Sequence, residues 1–237
     1  MGPVAETVTV VDRVVTSRGE LVLRHSAGHF EIISNGVFLM DTRAGGSERL
    51  LVREALKLVP AGARILVGGL GVGFSLAEAV ASPVPAEIVV VEIEKTLVDW
   101  HRGSLAGHSG HALDDPRVRI VTADIVTWLR ATREVFDAIC LDVDNGPEWT
   151  VFPPNAELYD DAGTMLLRDR LTDGGVLAAW SASAAPAYAA RLAALIGPVA
   201  VHEVAVPRGE PDVVYLARRT ADGVRGGDRG DRGRGRR

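Results

Sequence analysis

A single cysteine, Cys140, stands in a chain of 237 residues, so neither a disulfide scaffold nor a multi-cysteine zinc site can be built, and a reducing, cytoplasmic setting is the natural expectation. Long apolar runs are also missing. The apolar stretches are strand-sized or broken by Ser, Pro and Arg, whereas a membrane-spanning helix needs about 18 to 20 such residues in succession; no membrane association is expected. The opening MGPVAETVTV has no basic n-region and no long apolar h-region, and Glu6 stands where a myristoylation site wants Ser or Thr. Neither a secretory leader nor a lipid anchor is therefore expected. What is present is a globular composition, 47% hydrophobic and 24% charged, in a chain expected to bury roughly 70 to 75% of its unfolded surface without disulfides.

The net charge of −5 hides two regions. The last twenty residues hold eight Arg and three Asp, a net charge of +5, which leaves −10 on the first 217. The segment 220–237 contains one Val and no larger apolar residue; it cannot offset the entropy of ordering and is expected to be disordered. Arg in such a tail can pair with phosphate and stack on bases, but three interspersed Asp oppose this, so nucleic acid is not expected beyond weak tail contact.

Residues 7–41 read as four short strands, TVTVVDRVV, ELVLRH, HFEIIS and VFLMD, with Asn35-Gly36 the strongest hairpin signal. They suggest a small N-terminal β element over 1–46. A helix is predicted from Glu48 to Val59, capped by Ser47 and ended by Pro60, with Leu50, Leu51, Ala55, Leu56 and Val59 on one stripe. A different rhythm follows. Nearly continuous apolar runs at RILVG, EIVVVE, VRIVTA, FDAICLD and GVLAAWS alternate with helical stretches, the signature of a parallel sheet covered on both faces. VAVHEVAV and DVVYLARR, around the turn PRGEP, read as a closing hairpin. The predicted fold is α/β: a class I methyltransferase-like Rossmann sheet over 47–219, ending in an antiparallel hairpin.

The first sheet strand runs into Gly68-Gly69-Leu70-Gly71-Val72-Gly73, where glycine lets the backbone turn sharply and a ligand approach closely. Counting from Gly71, the third glycine of a dinucleotide fingerprint falls on Leu76, so the series Gly69, Gly71, Gly73 fits an S-adenosylmethionine binder better. The second strand ends at Glu92, whose carboxylate can accept from both ribose hydroxyls. The third ends at Asp124, placed to accept from an adenine amino group or simply to cap the next helix. The fourth delivers Asp142-Val143-Asp144-Asn145-Gly146-Pro147. Two carboxylates beside a sulfonium call for a cationic ligand; a protonated amine fits, and Asp142 could hold it and take its proton. Alternatively Asp142 and Asp144 organise a tight turn. Trp149 and Tyr159 are candidate walls of the substrate pocket.

The ordered segments ILVGGLGVG, VVVEIE, LDDPRVRIVTAD, FDAICLDVDNGP, ELYDDAG and LTDGGVLAAW resemble the polyamine aminopropyltransferases, the spermidine and spermine synthases, over about Ile32 to Ala217. The resemblance implies aminopropyl transfer from decarboxylated S-adenosylmethionine to a small amine, without metal, in a dimer or higher oligomer. It implies Glu92 as ribose ligand, Asp124 as adenine ligand and Asp142 as the first Asp of the family's D-[ST]-[ST]-D-P motif, which deprotonates the amine. The chain departs from the pattern at four places. The Asp of GGGDGG falls on Gly71, a Tyr-His pair on Leu51 and Val52, a Gln on Leu39, and the second motif Asp is displaced to Asp144 or lost. Methyl transfer from S-adenosylmethionine, and a non-catalytic nucleoside-binding protein, therefore stay open as alternatives.

Other sites are weaker. His101, His108 and His111 with Asp114 and Asp115 raise a metal site, but Gly-rich surroundings favour a solvated loop. GHSGH lacks the spacing of a serine-hydrolase elbow. Cys140 lies inside an apolar run and reads as a buried, inert thiol, and Trp128, Leu129 and Trp180 as packing residues.

Overall fold

The structure is a computed structural model and describes residues 8–220; the Arg/Gly segment, Thr220 apart, lies outside the described residues. Four strands come first, β1 (Thr9–Thr16), β2 (Gly19–Ser26), β3 (His29–Ser34) and β4 (Val37–Asp41), and pair in that order as an antiparallel sheet. Asn35 and Gly36 turn between β3 and β4 with φ of 50° and 79°, the left-handed pair that a two-residue hairpin requires.

The chain then alternates: α1 (Gly46–Leu56), β5 (Ala63–Gly68), α2 (Phe74–Ala81), β6 (Pro85–Glu92), α3 (Lys95–His101), β7 (Val118–Thr122), α4 (Ile125–Ala131), β8 (Phe136–Leu141), α5 (Asp161–Asp169), β9 (Leu171–Ser181) and α6 (Pro186–Leu195), closing with β10 (Val199–Val204) and β11 (Asp212–Arg218). These strands form one sheet in the order β10-β11-β9-β8-β5-β6-β7. From β9 to β7 the neighbours are parallel; β11 is antiparallel to both β9 and β10. The predicted methyltransferase-like sheet with a terminal hairpin is what forms.

Continuous apolar runs become strands because both faces are covered. Leu66, Val89, Val91, Ile139, Leu141 and Leu177 point into one cluster with α4, α5 and α6, while Ile65, Val67, Ile88, Val90, Cys140 and Ala178 point into the other with α1 and α2. Each fully buried Leu, Ile or Val there contributes about 1.5 to 3 kcal/mol. A third cluster, with Leu21, Leu23 and Ile32 against Val72, Phe74, Leu97 and Trp100, seats the four-stranded sheet on the glycine turn and α3. Arg18 strengthens that seat: Nε donates to Glu94 Oε1 at 2.7 Å and Nη2 to the Ile93 carbonyl at 2.8 Å.

Two local expectations are corrected. Gly45, not Ser47, is the N-cap of α1, and Ser47 is buried inside the first turn with its hydroxyl 2.7 Å from Asp212 Oδ2. The helix therefore starts two residues early, and Val52 rather than Leu50 joins Leu51, Ala55 and Leu56 in the core. β9 likewise starts at Leu171, ahead of the Gly175 start the apolar run indicates.

Candidate active site

The carboxyl edge of the parallel strands brings the glycine turn and three carboxylates into one row. Backbone ladders continue past the strand ends: Gly69 N donates to Val91 O at 2.9 Å, Asp142 N to Gly68 O at 2.8 Å, and Ala123 N to Glu92 O at 3.0 Å. Gly69 is held so close to its neighbour that a Cβ would lie 2.1 Å from the Asp142 carbonyl oxygen, and its φ of +90° excludes ordinary side chains as well. Gly68 would drive a Cβ into Ile125, Gly71 into Met40, and Gly73, the N-cap of α2, into His101.

Glu92 sits at the tip of β6, 5% exposed. Its Oε2 accepts from Leu70 N at 2.8 Å and its Oε1 from Glu94 N at 2.7 Å, so the carboxylate ties the glycine turn to the start of α3. Burial pushes its pKa up, and the Glu94 charge adds to the effect. Asp124 caps α4, Oδ1 accepting from Thr127 N at 2.8 Å, while Oδ2 takes no hydrogen bond among the described residues. Between them opens a small cleft of about 40 Å³, lined by Gly69, Glu92, Ile93, Asp124, Ile125, Val143 and Asn155 among others. It continues past Ile93 and Asp124 into a second opening edged by Thr127, Phe152 and the Arg130–Glu157 ion pair, 2.7 Å long.

Asp142 follows β8 on the other side of Gly69. Its Oδ2 accepts from Ser75 Oγ at 2.6 Å, and Oδ1 has no hydrogen-bond partner among the described residues. Burial pushes its pKa up to about 7, with the charges of Glu48 and Glu92 acting in the same direction and Ser75 against it. Glu48 and Asp212 are themselves raised, both chiefly by burial. The single hydroxyl of Ser47 lies 2.9 Å from Glu48 Oε2 and 2.7 Å from Asp212 Oδ2. One proton cannot serve two carboxylates, so the pair is best satisfied when one of them is protonated.

The remaining candidates are placed differently from expectation. Asp144 does not hold its carboxylate open to a ligand. In a left-handed conformation at φ 60°, it accepts from Asn145 N at 3.0 Å, Phe152 N at 2.8 Å, Asn155 Nδ2 at 3.0 Å and also Val151 N. Four donors make it the buckle of the loop after β8. Replacing Asp144 by Ala leaves them without their acceptor, so thermal denaturation should show a loss of about 1 to 3 kcal/mol; an unchanged melting curve would mean that the loop closes without it. Trp149 is 65% exposed and lines neither of these two openings. Tyr159 is 3% exposed and packs edge-on against Tyr188, its hydroxyl donating to Val143 O at 2.9 Å. It braces the loop from beneath and lines neither opening.

Ser75, Glu48, Asp212 and Asn155 escape a reading of strand tips, because they reach the site from helices, the terminal hairpin and the folded-back loop. His101 also departs from the solvated loop expected of it. The residue is 1% exposed at the end of α3, with Nε2 2.9 Å from the Gly71 carbonyl oxygen, and burial lowers its pKa. Among the described residues no cluster of His, Cys, Asp and Glu is arranged to hold a metal ion. Cys140 is fully buried and its thiol is pushed up to about 12. No helix of the described residues is long and apolar enough to cross a membrane.

An α/β architecture of this kind has parallels among solved structures. A spermidine synthase solved in complex with the transition state analogue AdoDATO superposes with a TM-score of 0.74 at 18% identity, covering 90% of this chain and 74% of that one. Residues 47–191 match the model of the spermine/spermidine synthase domain. The chain belongs to the spermine/spermidine synthase family. Curated relatives include polyamine aminopropyltransferase 1 of Pseudomonas aeruginosa, 28% identical over 173 residues, covering 71% of this chain and 58% of that protein. The polyamine aminopropyltransferase of Sodalis glossinidius is 28% identical over 176 residues, covering 73% of this chain and 50% of that protein. The chain thus spans little more than half the length of these two relatives.

Proposed function

We propose that the protein transfers an aminopropyl group from decarboxylated S-adenosylmethionine to a small amine. The observation that carries this reading is Asp142. Its carboxyl group stands beside the glycine turn with one oxygen anchored by Ser75 and the other unbonded, at a pKa of about 7, the range in which a general base both accepts and releases protons. Family membership and the names of the curated relatives support the same reading. In this scheme Glu92 accepts from the ribose hydroxyls on the lone pairs its two amide bonds leave over, and Asp124 Oδ2 accepts from the adenine amino group. The glycines Gly68, Gly69, Gly71 and Gly73 let the nucleoside lie against the backbone.

The chemistry is a displacement at carbon. The acceptor arrives as an ammonium ion, attracted by Asp142, and passes a proton to its carboxylate; the freed nitrogen lone pair forms the N–C bond as the C–S bond breaks, and the electron pair leaves with sulfur as a neutral thioether. Alignment of nitrogen, carbon and sulfur supplies most of the remaining rate advantage, and no metal is needed. The segment 1–46 is taken as a small β unit beside a catalytic domain over 47–219. A homodimer in the cytoplasm is part of the same reading, in which the exposed Val15, Val37 and Phe38 of the four-stranded sheet are apolar surface available to a partner copy.

Calorimetry with decarboxylated and ordinary S-adenosylmethionine side by side, followed by mass spectrometry of products from a polyamine panel, tests the proposal. Preferential binding of the decarboxylated form and an acceptor heavier by one aminopropyl group are expected. A product heavier by one methyl group would move the assignment to methyl transfer, and binding without any product would leave a nucleoside-binding protein.

A further inference from the structure

Ser75 is the second residue of α2 and is 2% exposed, in a helix whose other buried members are Phe74, Leu76 and Ala79. A hydroxyl in such apolar company needs a partner. It lies 2.6 Å from Asp142 Oδ2 and 3.2 Å from the Glu48 carbonyl oxygen; it has one proton to give, and the shorter, charged contact takes it.

The groups that face Asp142 otherwise resist its ionisation. Glu48 on α1 and Glu92 at the tip of β6 both oppose a second negative charge, and Cys140 on β8 and Tyr159 ahead of α5 feel the Asp142 charge as an unfavourable neighbour. Ser75 Oγ is the one hydrogen-bond donor to the Asp142 side chain among the described residues. With Oδ2 anchored, the side chain presents Oδ1 in a single direction.

We propose that Ser75 is a positioning residue for the transfer reaction: its hydroxyl orients the Asp142 carboxylate, favours its ionised form beside two acidic neighbours, and so directs Oδ1 at the incoming amine. The inference rests on the reading of Asp142 as proton acceptor. Ser75→Ala removes the hydroxyl without adding volume, and Ser75→Thr restores it.

Protein labelled with ¹³C at aspartate carboxyl carbons reports the titration directly, the Asp142 signal being assigned by its loss in Asp142→Asn. In Ser75→Ala the Asp142 midpoint should rise by about one pH unit, the usual worth of a hydrogen bond to a charged group. The acid limb of kcat should move up by the same amount, with the amine KM little changed, and Ser75→Thr should return both toward the parent. Coincident titration midpoints in the parent and Ser75→Ala would overturn the proposal, and so would a shifted titration with an unmoved acid limb. If the midpoint shifts but even the parent transfers no group to any amine, it is the functional reading that fails, and the catalytic role of Ser75 falls with it.

Discussion

Asp142→Asn should lower turnover by about 10²- to 10⁴-fold, the usual worth of a positioned general base, while nucleoside affinity stays nearly constant. The amide keeps the size of the side chain and can still meet Ser75, but it neither attracts an ammonium ion nor accepts its proton. Stability should move the opposite way. The folded protein holds the Asp142 proton with a pKa of about 7 against a reference value of 3.8. The contribution of this group is therefore fully present below pH 3.8 and is lost as pH rises through about 7. At pH 8 the parent carries a half-buried negative charge beside Glu48 and Glu92 that the variant lacks, and Asp142→Asn should be more stable, by on the order of 1 kcal/mol. Steady-state kinetics and thermal melts at two pH values check both signs. A carboxylate serving only the turn would give the reverse, full activity with lowered stability.

That combination of lower activity and higher stability separates Asp142 from Asp144, two residues along the same segment. Asp144 gives its oxygens to four donors of its own loop, so its replacement costs stability first. Nothing in the string DVDNGP distinguishes the two. The difference arises from the left-handed turn at Asp144, which swings its side chain toward Val151, Phe152 and Asn155, and that path depends on where the loop returns. Strand tips, by contrast, are legible from the sequence because a parallel sheet has only one edge at which its carboxyl ends can meet. Gly69, Glu92, Asp124 and Asp142 could be named from four apolar runs and the residue following each.

Helix-borne contributions were not legible in this way. Ser47 looked like a cap because Ser commonly is one; it lies inside α1 because Gly45 and Gly46 let the helix begin earlier, and its hydroxyl faces Asp212 from the terminal hairpin, 165 positions along the chain. His101 looked solvated among glycines, yet α3 carries it beneath the glycine turn, where its ring occupies the space beside Gly73. Leu51 and Val52, which stand where relatives of this family were expected to have Tyr and His, are completely buried. Their side chains complete the core under α1, so under the proposed function an amine would be recognised on that side by Asp142 and its neighbours.

Glu92→Ala should weaken binding of an adenosine sulfonium at least tenfold, since removing a charged hydrogen-bond acceptor costs about 1.5 to 3 kcal/mol. The effect reaches further than the ribose. Glu92 accepts from Leu70 N in the glycine turn and from Glu94 N ahead of α3, so Ala leaves two amides without partners as well as the hydroxyls of the ligand. Leu70 is 3% exposed, and water cannot readily replace the lost acceptor; the variant should therefore melt at a lower temperature even without nucleoside. Glu92→Gln separates the two roles. Its one carbonyl oxygen can serve either Leu70 or Glu94, its amide nitrogen opposes the other N–H, and the loss of charge removes the burial cost that raises the Glu92 pKa. Calorimetry should find Glu92→Gln intermediate in affinity and Glu92→Ala weakest. If both variants bind nucleoside as tightly as the parent while melting lower, Glu92 is a tie between the glycine turn and α3, and the ribose must be held from elsewhere along the cleft.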